Sequence, residues 1–171
     1  MTYIKKLLFI CCALLANNSA YAECFDTPEG IKAKNVISII CLSQEKNLKL
    51  NIFSSVSGNI NSLYVTLTPA QDVYCNTQQQ TTKAPPKIFN GKTIHLTKYC
   101  TRISNTETFN FDMPSTEAEM NYVTGQVLKN KPLVITSPDK GSPFKATFDT
   151  HKYRKMILDT FNINDSVRND I

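Results

Sequence analysis

The stretch DVYCNTQQQTTKAPPKIFNGKTIHLTKYC, residues 72–100, carries the decision about the fold. Its first four residues are a short strand candidate. Its last ten set Ile94 and Leu96 against Thr93, His95 and Thr97, the period-two alternation of a strand with one dry and one wet face. Between them NTQQQTTKAPPK offers little to bury, and Pro85 and Pro86 bring no ladder donors. Segment 76–92 therefore reads as an exposed polar excursion and not as a strand. A bridge from Cys75 to Cys100 would fasten the strand ends that flank it.

Upstream, VISIICL (36–42) is rich in β-branched residues, and NLKLNIFS (47–54) alternates Leu48, Leu50 and Ile52 with polar neighbours. SQEKN makes the turn between them. SLYVTLT (62–68) continues with Leu63, Val65 and Leu67 on one side, so an antiparallel meander is expected. Downstream, SNTETFNFDM (104–113) places Phe109, Phe111 and Met113 at period two. The period changes at Pro114. STEAEMNYVTGQVLKN reads as a helix starting near Ser115 or Thr116, with Glu119 three residues beyond Thr116 as a capping-box acid. Ala118, Tyr122, Val123 and Val127 form its expected apolar stripe, with Met120 at the edge. PLVITS and PFKATFDT flank the turn SPDKGSP as a hairpin, and Thr150 is expected to cap a last helix carrying Tyr153, Ile157, Leu158 and Phe161.

The fold class expected is therefore α+β: a mainly antiparallel β-sheet or small sandwich of roughly six to eight short strands, with two helices in the C-terminal half. It is held by two disulfides. The first 22 residues read as a cleaved signal peptide, with Lys5 and Lys6, the apolar run LLFICCALLA, and Ala20 and Ala22 before the cut. Ten apolar residues rise about 15 Å as a helix, short of a hydrocarbon core of roughly 30 Å. Ile10 precedes Cys11 where a lipoprotein signal would carry a small residue. Residues 23–163 are expected to form one domain and 164–171 a flexible tail.

Four cysteines follow the signal: Cys24, Cys41, Cys75 and Cys100. An even set in an exported chain points to disulfides, and three pairings are open. The local closures Cys24–Cys41 and Cys75–Cys100 are preferred, each contributing about 3 kcal/mol on a chain-entropy account. A zinc tetrathiolate lacks the paired-knuckle spacing. No metal or other cofactor is expected. Removing Lys5 and Lys6 from 19 basic residues leaves 17 against 14 acids, a formal charge near +3 that is too small and scattered to imply nucleic acid.

Only His95 and His151 supply imidazoles, and neither has a carboxylate or nucleophile at a recognisable catalytic spacing. Glu117 and Glu119, two apart on a helix, do not share a face and instead suit the positive helix terminus. No GxSxG elbow is present. Recognition is placed in the polar excursion: Gln78, Gln79 and Gln80 offer donors and acceptors, Lys83 and Lys87 offer charge, and two prolines limit the conformations lost on binding. His95 borders it. The binding set is thus Gln78, Gln79, Lys83, Lys87 and His95, with no catalytic residue assigned.

PFKATFDTHKYRKMILDTF, at residues 143–161, resembles the final strand and helix of the invasion-associated protein B family, over less than a fifth of the chain. The resemblance implies a periplasmic β-rich domain. His151 and Lys152 stand where that family has a glycine and an aromatic residue, so no binding residue is carried over. The function expected is a non-enzymatic binding or envelope-interaction protein of the periplasm or the secreted fraction. Its partner would be a protein or envelope component, including a secreted toxin or lytic enzyme that it restrains. A small envelope hydrolase is the alternative.

Overall fold

A computed structural model describes residues 23–26, 37–54, 63–69, 80–102, 108–139, 141 and 143–163. The first strands are β1 (Cys24–Asp26), β2 (Ile37–Leu42), β3 (Leu48–Ser54) and β4 (Leu63–Pro69). They are followed by β5 (Gln80–Phe89), β6 (Lys92–Arg102) and β7 (Thr108–Pro114), then helix α1 (Glu117–Leu128). A hairpin of β8 (Leu133–Thr136) and β9 (Lys145–Phe148), a 3₁₀ turn (Thr150–Tyr153) and helix α2 (Arg154–Thr160) complete the order. The nine described strands make one sheet in the order β1-β2-β3-β4-β7-β6-β5-β8-β9, and every neighbouring pair is antiparallel. Among the described residues there is no second sheet, so the expected sandwich alternative is not formed there.

Seven strand spacings of about 4.8 Å would hold β2 and β9 roughly 34 Å apart in a flat sheet. They are instead joined at the turn between β2 and β3. The Gln44 N–H donates to the Thr147 carbonyl at 2.8 Å, and the Thr147 N–H and hydroxyl donate to the Glu45 carboxylate at 2.6 and 2.9 Å. Asn47 Nδ2 reaches the Lys145 carbonyl at 2.9 Å, and Gln44 Nε2 reaches Asp149 Oδ1 at 3.1 Å. The sheet therefore curls on itself, and the turn satisfies the polar edge that β9 would otherwise present.

Inside the curl, alternate residues form a continuous core: Ile39, Leu50, Ile52, Val65, Leu67, Phe89, Ile94, Leu96, Leu133, Ile135 and Phe148 are all buried. The helices complete it with Met120, Val123, Val127, Ile157 and Leu158, and Phe161 adds to it just past the end of α2. Ala118 is exposed, contrary to the expected stripe, and Tyr122 is half-buried with its hydroxyl on the Phe89 carbonyl at 3.1 Å. Thr116 caps α1, its hydroxyl accepting the Glu119 N–H at 3.2 Å. Thr150 does not cap the last helix. Its hydroxyl is buried without a hydrogen-bond partner, and Asp149 stands before the 3₁₀ turn instead.

Cys24 and Cys41 are bonded and stand directly opposite one another, with Cα atoms 4.0 Å apart. The adjacent pair is hydrogen-bonded, Leu42 N–H to the Glu23 carbonyl at 2.8 Å, so the cysteines occupy a non-hydrogen-bonded pair, where side chains approach most closely. It is the one bridge whose two ends both lie among the described residues. The second expected bridge runs to Cys75, outside them, as does the strand candidate DVYC; Cys100 is buried and disulfide-bonded.

Much of the expected polar excursion belongs instead to the sheet. Residues 80–89 are a ten-residue strand paired with β6. The register runs Ala84 opposite Leu96 and then Lys87 opposite Ile94, so Pro85 and Pro86 together face one residue, His95, in a bulge. The prolines are tolerated because β8 pairs only with Ile88 and Phe89, and no described strand takes hydrogen bonds from the far edge beside them. Asn90 and Gly91, both with positive φ (45° and 93°), turn the chain into β6.

Candidate functional site

One register row crosses seven strands on the inner face: Cys24, Cys41, Leu50, Leu67, Asp112, Lys98 and Thr82. Its first four members are buried and apolar or sulfur-bearing; then it turns charged. Asn110, opposite Cys100, lies two residues from Asp112 on the same side of β7. Lys87 enters from beyond the bulge, its ammonium 4.4 Å above the Phe144 ring. Asp112, Lys98 and Lys87 are each half-buried, a costly position for charge that makes the sector a candidate site.

The electrostatics follow from that burial. Desolvation holds the Lys87 ammonium below its usual range, with Lys98 acting in the same direction and Asp112 opposing. Burial likewise pushes the Asp112 carboxyl up, and the charges of Lys98 and Lys87 pull it back. Asn110 is 9% exposed, and its Oδ1 is buried without a hydrogen-bond partner. Two cations, one anion and an unsatisfied carbonyl oxygen thus share one side of the sheet. Among the described residues no group of three side chains is placed to hold a metal ion.

The structure disperses the binding set expected from sequence. Gln78 and Gln79 lie outside the described residues. Lys83 is exposed and pairs with Thr97 on the outer row, whereas Lys87 faces inward. His95 is also on the outer row. Lys98, Asp112 and Asn110 were not anticipated. Their signal lies in NFDM: Phe111 occupies the outer row, stacked on Tyr99 with centroids 5.2 Å apart, which leaves Asn110 and Asp112 to face in.

His95 does meet a carboxylate, which its sequence neighbourhood did not reveal. Its Nδ1 lies 2.8 Å from Glu119 Oε1, and the same oxygen accepts the His95 backbone N–H at 2.9 Å. Glu119 Oε2 accepts the Thr116 hydroxyl at 3.0 Å. The Ser115 N–H donates to the His95 carbonyl at 3.0 Å, and the Ser115 and Thr97 hydroxyls are 2.9 Å apart. Such a carboxylate fixes the imidazole and leaves Nε2 as a potential base. Yet the imidazole is 74% exposed, so water has access to it. Its evident work is to tie β6 to the first turn of α1. His151 lies in the 3₁₀ turn, where Asp149 is engaged by Lys152 Nζ at 2.9 Å.

No described helix is long and apolar enough to cross a membrane. Comparison with family models, curated proteins and solved structures finds no match to this chain, so the reading of its function rests on the geometry.

Proposed function

We propose that this chain is an exported, non-enzymatic binding protein of the periplasm or secreted fraction, and that it engages a protein or envelope component through the sector formed by Lys87, Lys98, Asp112 and Asn110. The observation that supports this is the inward placement of two lysines against one aspartate on a largely apolar face. Burial of uncompensated charge is unfavourable unless a partner offsets it. Export through residues 1–22 and a Cys75–Cys100 bridge belong to the same proposal. The test compares partner capture from native envelope extract by the oxidised protein and by Lys87→Met and Lys98→Met. A partner retained by the parent and lost by both variants supports the reading; equal capture by all three rejects it.

A second reading, a small envelope hydrolase, is favoured by the His95–Glu119 contact beside the Ser115 and Thr97 hydroxyls. It requires turnover of ester or amide substrates that His95→Ala abolishes and Lys98→Met leaves intact.

A further inference from the structure

We propose that the junction between the end of α1 and the start of α2 is a second contact surface, which rests the protein on an anionic lipid surface through Lys129, Lys131 and Lys155. The two segments are distant in sequence and meet in space. Arg154 Nε donates to the Leu128 carbonyl at 2.7 Å, and α1 packs against both the 3₁₀ turn and α2. Segments 128–132 and 149–160 hold five cations against two acids, while the remainder of the chain after residue 22 holds equal numbers of each. The whole formal excess of positive charge therefore sits at this junction.

Part of that charge is engaged within the fold. Lys152 Nζ lies 2.9 Å from Asp149 Oδ2, and Arg154 meets the carbonyl end of α1, where a cation is favoured. Lys129, Lys131 and Lys155 have no ion-pair partner among the described residues; Lys131 and Lys155 are exposed and Lys129 is half-buried. Lysines are mobile point charges without the planar fork that grips a single carboxylate or phosphate, so they suit a field of many anions. Tyr153 and Met156 add apolar surface beside Lys152 and Lys155, each half-buried against the core with the rest of its side chain in solvent. A phenol, a thioether and lysine stems together suit the boundary between head groups and acyl chains better than they suit an acidic polypeptide.

The test is co-sedimentation of the oxidised protein with vesicles of phosphatidylcholine alone and of phosphatidylcholine mixed with phosphatidylglycerol, beside a binding titration with soluble polyglutamate. Binding is expected on the anionic vesicles at low salt, with none on the neutral ones, and release at about 1 M salt, where screening acts over roughly 3 Å. The triple variant Lys129→Gln, Lys131→Gln, Lys155→Gln should bind at least about tenfold more weakly, since each lysine near an anionic surface is worth about fivefold. A control of the same net charge, Lys46→Gln, Lys49→Gln, Lys83→Gln, should keep the parental affinity. If the triple variant loses its circular dichroism spectrum, Lys131→Gln with Lys155→Gln takes its place. Equal weakening by variant and control assigns the binding to net charge and overturns the junction as a site. Equal binding to both kinds of vesicle, or to neither, overturns the proposal, and polyglutamate bound without vesicles gives the junction to an acidic polypeptide instead. Partner capture through Lys87 and Lys98 is a separate measurement, so neither result decides the other.

Discussion

Lys83 and Lys87 lie four residues apart on one strand and face opposite sides of the sheet, because Pro85 and Pro86 between them stand against the single residue His95. In an unbroken strand, residues four apart share a face. The bulge reverses that relation, so Lys87 turns inward to Phe144 while Lys83 remains in solvent. The position of this reversal is tied to the Asn90–Gly91 turn, which sets the register of Phe89 against Lys92.

Gly91→Ala tests that turn. Gly91 has φ +93° and open space where a Cβ would stand, so the expense is backbone conformation and not a clash. A loss of about 1 kcal/mol or more is expected in urea unfolding. Unchanged stability would show that the turn does not require glycine.

Glu45→Ala should release the edge of β9. The Glu45 carboxylate accepts both the N–H and the hydroxyl of Thr147, and hydrogen bonds to charged groups contribute about 1.5–3 kcal/mol. Stability is expected to fall by an amount in that range, with concentration-dependent association seen by sedimentation as the strand edge becomes available. A monomeric variant of parental stability would contradict the clamp.

Replacing Cys24 and Cys41 together by Ala should cost about 3 kcal/mol, because the bridge closes a separation of 17 residues. Hydrogen exchange should quicken first in β1, which among the described strands pairs only with β2. Uniform quickening across all nine strands would instead mean that the bridge supports the whole sheet.

The Glu119 contact makes a pH signature. Burial would raise its carboxyl, but hydrogen bonds from the His95 backbone and imidazole and from Thr116, with the His95 charge, outweigh that and hold it below the usual 4.5. A depressed folded value gives stability that is complete above the unfolded value and disappears as pH falls through the folded one. Glu119→Gln should therefore be less stable by about 1–2 kcal/mol at neutral pH, with the gap closing below about pH 4.5. A gap that persists to pH 2 would assign the loss to packing.

Strands β3, β4 and β6 were legible because period two and composition agree in them: Leu50, Val65 and Leu96 point inward as their apolar neighbours do. In β7 the two cues conflict. Alternation shows that Phe111 and Asp112 face opposite ways, but only pairing with Tyr99 and Lys98 determines which faces in. β5 was hidden by its prolines, whose missing donors count against a strand only where both edges are paired. The Glu119 contact with His95 joins residues 24 apart, a distance over which no local pattern in the sequence operates.

The bonds from Glu45 to Thr147 span 102 residues, so a hairpin from the early part of the chain has its turn completed by the last described strand. During that interval the hairpin's polar tip must rely on solvent, and closure becomes a late step with a large loop-entropy cost. A chain shortened before Lys145 would lose more than a strand: its opening hairpin would be left with no far wall to grip.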